Sequence, residues 1–392
     1  MSKKRKTKKI KLRAYLGHLL FGIVGFISGI IMMEYAVSLS RAGKPWGEIV
    51  ITFIMLFIWM YVAFFIHIII HELGHLFFGL LTGYRFSSFR IGSFMLIKKN
   101  DSLSLKKLSI AGTGGQCLLI PPDMVNNKIP YVLYNLGGPI FNLIFATFIL
   151  ILLSLLTPTS FILTLLVMFT VIGFFISLMN GIPMRFDTMD NDGYNALSLG
   201  KNEESLRAFW IQMRANEQVI KGVRLRDMPE EWFRVPSKEG MKNSIIATIG
   251  VFACNRLMDL HEFEKATQLM EELLSMESGI VDLHRRMLIE DRVYCELIKE
   301  NRKNKLDEMR DKSQMTFIKS MKNFPSVLRT RYAYELLYNK DITKAEEVRK
   351  QFDKRAETYP YPSDMDSERE LMDYAKQTYD EISNIVHMSN TN

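Results

Sequence analysis

The sequence predicts a mainly α-helical protein: a polytopic membrane domain of about four transmembrane helices with a small β or re-entrant connection, followed by a soluble α-helical tail. Three observations predict it. Charge divides unevenly, since residues 1–200 hold 18 Lys+Arg and 8 Asp+Glu whereas residues 201–392 hold 32 and 34, so the halves sum to +10 and −2. The first half contains four apolar runs, and about 20 residues suffice to cross a bilayer. The second half is densely and evenly charged, as a soluble helical domain is.

In chain order, Met1–Arg13 carries eight cations directly ahead of an apolar run. It reads as a basic cytosolic N-terminus lying on the lipid bilayer, not as a nucleic-acid patch. The run from Ala14 to Met33 is too long for a signal core and reads as a retained helix. Further runs extend from Ile49 to Thr82, Tyr131 to Leu156 and Phe161 to Met179. Residues 14–199 thus form the membrane domain and residues 200–392 a cytosolic helical domain. Four crossings return the chain to its starting side, and the seven cations of the Gly83–Pro130 connection agree with a cytosolic position for that loop and both termini.

That connection is rich in Gly and Pro, with short alternating runs at Phe94–Ile97 and Cys117–Ile120, so strands or re-entrant hairpins are expected there. Gly112–Gly115 lacks the Lys-Ser/Thr ending of a phosphate loop and reads as a flexible turn. In the tail, Leu260–Leu273, Glu300–Met309 and Asn339–Val348 resemble one another, with Ala266 and Ala345 79 residues apart. They resemble tetratricopeptide-type hairpins, although the period is longer; an ordinary helical bundle is the alternative. His261, His284 and His387 stand isolated and read as surface residues. Cys117, Cys254 and Cys295 show no paired spacing, which argues against disulfides or a thiolate metal site.

The chemistry concentrates in His71-Glu72-Leu73-Gly74-His75. Residues four apart on a helix point the same way, so two imidazoles can hold one Zn2+ ion, and the intervening Glu72 can act as general base on a water at the metal. A bare HExxH is moderate evidence. Here two His and a Glu interrupt an apolar run, where ionisable groups are costly and mark function. His67, one turn earlier on the same face, is a candidate third ligand, although a supporting or packing role suits it better. A catalytic zinc wants a third protein ligand. No Glu lies between Leu76 and Asn202, and Leu81 occupies the place of a third His in the longer HExxHxxGxxH pattern. Asp187, Asp190 and Asp192 remain.

HELGH in an apolar run, Asn135-Leu-Gly137-Gly138-Pro139-Ile-Phe-Asn142, and Asn180…Pro183…Asp192-Gly193 together resemble the site-2 protease family of intramembrane zinc metallopeptidases. The resemblance covers about Ile49 to Leu199. It implies zinc held by His71, His75 and Asp192, with Glu72 activating water. The interval between Asn180 and the Asp-Gly pair is longer than the family's compact form, so Asp187 and Asp190 stay as rivals. Asn142 would orient substrate or stabilise the oxyanion, or else hydrogen-bond between helices beside Gly137-Gly138. The implied function is hydrolysis of a peptide bond in or near a transmembrane segment of a membrane-tethered regulator or peptide precursor. The Phe94–Ile97 run would offer a strand edge to the unwound substrate, and the tail would recruit a protein partner. A non-catalytic binding or immunity module that kept the fold is the competing reading; intact Glu72 argues against it.

Overall fold

The computed structural model describes the backbone of residues 2–99, 102–110, 113–156, 159–185 and 190–390, with side chains except at 2–18, 21 and 386–390. The chain divides into two compact units, Met1–Ile91 with Gly114–Asn202, and Gly92–Thr113 with Glu203–Asn392.

The first unit is built on α1 (Ser2–Arg41), α2 (Trp46–Leu81), α3 (Val132–Leu155) and α4 (Ser160–Gly181). Four stretches, Gly22–Arg41 and the whole of α2, α3 and α4, are long and apolar enough to cross a membrane. At 36 residues α2 is about 54 Å long, far more than a bilayer core of about 30 Å. Its outer side shows Val50, Ile51, Ile54 and Ile58, a continuous apolar face suited to lipid rather than water. Its inner side packs Leu56 with Met32 and Met168, and Ala63 with Ile172 and Ile176. Trp59 donates its indole N–H to the Leu165 carbonyl at 3.1 Å, which satisfies the polar atom of that ring.

Helices α2 and α3 cross at backbone contact. A Cβ on Gly74 would lie 2.3 Å from the Gly137 carbonyl oxygen, and one on Gly137 would lie 2.5 Å from that of Gly74. Small residues at the crossing bring the buried side of α2 against α3. Two strands lie between α2 and α3 in the chain, β1 (Arg85–Ile91) and β4 (Gly115–Ile120), paired antiparallel with Phe89 opposite Cys117. A short helix, α5 (Asp192–Leu199), closes the unit.

The second unit contains the hairpin of β2 (Phe94–Lys99) and β3 (Ser102–Lys107), in register with Leu96 opposite Leu105. The Lys107 amide donates to the Thr358 carbonyl at 3.0 Å, so the hairpin is fastened to the helical tail. Thus the Phe94–Ile97 run is paired within a hairpin of the tail's own unit. The helices are α6 (Glu203–Lys221), α7 (Ser244–Asp259), α8 (Phe263–Ser275), α9 (Asp282–Ile298), α10 (Lys303–Met309), α11 (Lys312–Ser320), α12 (Pro325–Ala333, continued as a wider turn over Tyr334–Tyr338), α13 (Ile342–Ala356) and α14 (Pro362–Asn390).

The three similar segments fold alike. His261, Asn301 and Lys340 each have positive φ, between 51° and 59°, and they stand 40 (301 − 261) and 39 (340 − 301) residues apart. Each turns the chain from one helix to the next. Five residues after each, Ala266, Leu306 and Ala345 are buried. Such backbone disfavours side chains other than Gly, with Asn the mildest case, so its recurrence reflects a turn repeated by the packing of the helix pairs. His261 and His284 differ from the surface role expected of them. His261 is half-buried and stacks on Phe263 at 5.6 Å; His284 is half-buried and lines a partly open pocket. The side chain of His387 lies outside the described residues. All three cysteines are free and buried.

Candidate metal centre

Helical periodicity puts His67, His71 and His75 on the inner side of α2, and all three are buried together with Glu72, while Leu73, Phe77 and Leu80 face outward. His71 Nε2 and His75 Nε2 lie 3.1 Å apart. Asp192 Oδ2 lies 3.0 Å from the first and 3.5 Å from the second.

Hydrogen bonding fixes what these atoms are. His75 Nδ1 is 2.8 Å from the Tyr134 carbonyl. A carbonyl only accepts, so Nδ1 carries the proton and Nε2 is left with a lone pair. His67 Nε2 is 2.9 Å from the Phe169 carbonyl, so it too is protonated and His67 Nδ1 accepts. The Asn142 amide spans His67 Nδ1 at 3.0 Å and His71 Nδ1 at 3.2 Å. Asn142 Oδ1 is placed toward His67 Nδ1 and Nδ2 toward His71 Nδ1; because His67 Nδ1 can only accept, we assign the amide with these two ends exchanged, its NH2 toward His67. The amide oxygen then faces His71 Nδ1 and receives its proton. His71 Nε2 also presents a lone pair inward.

Two imidazole lone pairs and a carboxylate oxygen therefore converge with no proton to share, and Asp192 Oδ2 is buried without a hydrogen-bond partner. Three acceptors at this spacing repel unless a cation stands among them. Their donor atoms all lie within 4.8 Å of one another, and among the described residues no other set of three His, Cys, Asp or Glu does so. Separations of 3.0–3.5 Å match adjacent corners of a tetrahedron whose bonds are about 2.0–2.1 Å, the length of zinc bonds to nitrogen and oxygen. His2Asp with a fourth position open is a catalytic zinc set. The residues fit the ion. Space is kept for it: a Cβ on Gly138 would lie 2.6 Å from both Nε2 atoms.

Asp192 reaches the imidazoles because Asn191 anchors the turn before it. Its side chain accepts from the Tyr194 and Met184 amides at 2.9 Å each, and donates to the Met179 and Ile182 carbonyls at 2.7 and 2.6 Å. α5 starts against the end of α4 so closely that a Cβ on Gly193 would lie 2.2 Å from the Gly181 oxygen. Asp190 is bound by Arg185 Nε at 3.0 Å, and Asp187 lies outside the described residues.

Glu72 occupies the edge of the cluster against β4. A Cβ on Gly115 would lie 2.6 Å from Glu72 Oε1, so glycine is what allows the carboxylate its place. Burial, with Glu72 next, pushes the nearby Cys117 thiol up.

Residues 59–322, more than half of the chain, match peptidase family M50. The chain belongs to peptidase family M50. This is the site-2 protease family, whose members are membrane metalloproteases. The match in this M50 peptidase begins inside α2 and runs past Leu199 into the tail. No curated protein and no solved structure matches the chain.

Both ends of the Asn142 amide are engaged by His67 and His71, the hydrogen bonding between helices that is one of the two roles expected of it. Asn191 and Tyr134 are not singled out by sequence reasoning. For Asn191 a signal exists, an Asn directly before an Asp-Gly helix start. For Tyr134 there is none, since it acts through its backbone carbonyl.

Proposed function

We propose that the chain is a zinc-dependent endopeptidase that cleaves a peptide bond in or next to a transmembrane segment of a membrane-tethered regulator or peptide precursor. The observation that carries this is the convergence of three unprotonated donors, His71, His75 and Asp192, beside the carboxylate of Glu72. A zinc ion held there supplies Lewis acidity toward a water and the scissile carbonyl. Glu72 takes a proton from the water as its oxygen bonds to the carbonyl carbon. When the C–N bond breaks, Glu72 delivers that proton to the departing amide nitrogen. Buried surroundings exclude bulk water and strengthen each of these interactions.

A helical substrate offers no free carbonyl, so it must unwind at the site. β4 supports capture by strand addition: among the described residues it pairs with β1 along one edge only, and its first residue abuts Glu72. β4 thus replaces Phe94–Ile97 as the candidate edge. The cation distribution favours cytosolic termini. The repeated hairpins of the tail, of tetratricopeptide-like type, offer a surface for a protein partner.

Glu72→Gln tests the reading. The variant is expected to retain zinc while cleavage of membrane peptides falls on the order of 10²–10⁴-fold, read by comparing membrane peptide fragments from cells carrying each form. Fragments persisting at the wild-type level would leave the non-catalytic binding module as the function.

A further inference from the structure

His67 lies one turn before His71 on α2 and is fully buried. α4 shapes the space for its ring. A Cβ on Gly173 would lie 2.5 Å from His67 Cε1, and the ring packs against that of Phe169 at 4.1 Å. Both ring nitrogens are in use, Nε2 on the Phe169 carbonyl at 2.9 Å and Nδ1 on the Asn142 amide at 3.0 Å. Neither is left for a metal. A polar ring in so apolar a stretch points to a task of another kind.

That task concerns Asn142, which is also fully buried. Its amide fits between His67 and His71 either way round, since its O and NH2 differ little in shape. The two orientations differ in consequence. With the oxygen toward His71, the proton of that ring stays on Nδ1 and the Nε2 lone pair is free for a cation. With the NH2 toward His71, the amide donates to Nδ1 and the proton moves to Nε2. Asp192 Oδ2 is 3.0 Å from Nε2 and would accept it in a charge-assisted hydrogen bond, one of the stronger kind. Such a site is closed, because two of its three donor atoms hold each other. Before a cation arrives, closure also removes the repulsion between the lone pair and the carboxylate.

His67 decides between the two. The Phe169 carbonyl only accepts, so it keeps the His67 proton on Nε2 and makes Nδ1 an acceptor. That acceptor takes the NH2 end of Asn142. Reversing the amide would set its oxygen against Nδ1, two acceptors facing each other in a buried place. The order of donors and acceptors therefore runs from the α4 backbone through His67 and Asn142 to His71.

We propose that His67 is a positioning residue: it fixes the orientation of Asn142 and so keeps His71 in the open, cation-ready tautomer. This rests on reading His71, His75 and Asp192 as a zinc site.

Zinc affinity of the full chain in detergent tests it, measured by competition with a chelator of known affinity. The forms compared are wild type, His67→Leu, Asn142→Asp and the two changes together. Leucine is close to histidine in volume and has no polar side-chain atom. His67→Leu is expected to weaken zinc binding about ten- to hundredfold. Adding Asn142→Asp is expected to restore it to within about threefold of wild type, because a carboxylate accepts whichever way it turns and returns the proton to His71 Nδ1. With His67 in place, Asn142→Asp is expected to bring no such gain. A ring that merely filled space could not be replaced by a carboxylate on another helix.

Three results overturn the proposal: zinc bound by His67→Leu as tightly as by wild type, a weakening that Asn142→Asp does not repair, or an equal gain from Asn142→Asp with and without His67. Should His67→Leu not fold, the ring-nitrogen NMR signals of zinc-free wild type carrying isotope-labelled histidine decide. An N–H at His71 Nδ1 is expected, and an N–H at His71 Nε2 overturns the proposal. A wild type that takes up no zinc sinks the zinc reading and this proposal with it; any overturning result beside a wild type that binds zinc sinks the proposal alone.

Discussion

His71 and His75 hold their lone pairs toward each other because a proton acceptor waits behind each ring, the Asn142 amide for one and the Tyr134 carbonyl for the other. Removing such a support leaves the ligand present and misdirected. Asn142→Ala is therefore expected to lower zinc affinity on the order of 10–100-fold while the helices stay assembled, read by competition with a chelator of known affinity. Zinc binding as tight as wild type would show that the tautomer chain does not hold His71. His71, Glu72 and His75 are readable from sequence because their relation is local: four residues make just over a helical turn, so spacing alone puts two rings on one side. Asn142 is readable only as a polar residue in an apolar run. Its partners come from α2, 71 and 75 residues away in sequence, and no local rule reaches that far.

At the scale of elements, α5 matters as a bracket. Asn191 makes four hydrogen bonds that tie the residues after α4 to the start of α5. Asn191→Ala loses a helix cap and two donated bonds, about 2–4 kcal/mol in all. The expected result is a lower melting temperature together with loss of zinc, although no metal ligand has been changed. A variant that melts early yet keeps its zinc would separate the turn from the metal site. β4 supports a different prediction. Proline at the positions of Gln116–Leu118 whose amide faces away from β1 removes a donor from the open edge and leaves the ladder intact. Cleavage is expected to fail there with melting unchanged, and full activity would remove strand addition from the mechanism. The existence of strands between Gly83 and Pro130 is legible in Gly and Pro punctuation. Their division into β1–β4 and β2–β3, in different units, is not, because pairing partners are a property of register.

Across the whole molecule, the balance of charge separates an apolar unit from a densely charged one. For Asp364 the sign of the pH effect follows from its raised carboxyl. Between its ordinary 3.8 and about 7 the folded state keeps the proton and the unfolded state releases it, so this group lowers stability as pH rises through that window and by a constant amount above it. Glu368 and Asp259 face it and act in the same direction. Asp364→Asn is expected to raise the melting temperature, with a gain that grows between about pH 4 and pH 7 and then levels; a gain independent of pH would show that charge is not the cause. His284, which lines the same pocket as Asp364, is pushed down to about 4 by burial.

The sequence by itself determined the apolar runs, the charge division, the HELGH pair and the recurrence of three similar segments in the tail, because each is a matter of composition or short spacing. The three-dimensional packing alone decided which aspartate joins the imidazoles and which strand edge lies beside Glu72. Each of those depends on distance between residues far apart in the chain. Such distances are set by how closely helices approach, as at Gly74 and Gly137, and by turns such as the one Asn191 holds.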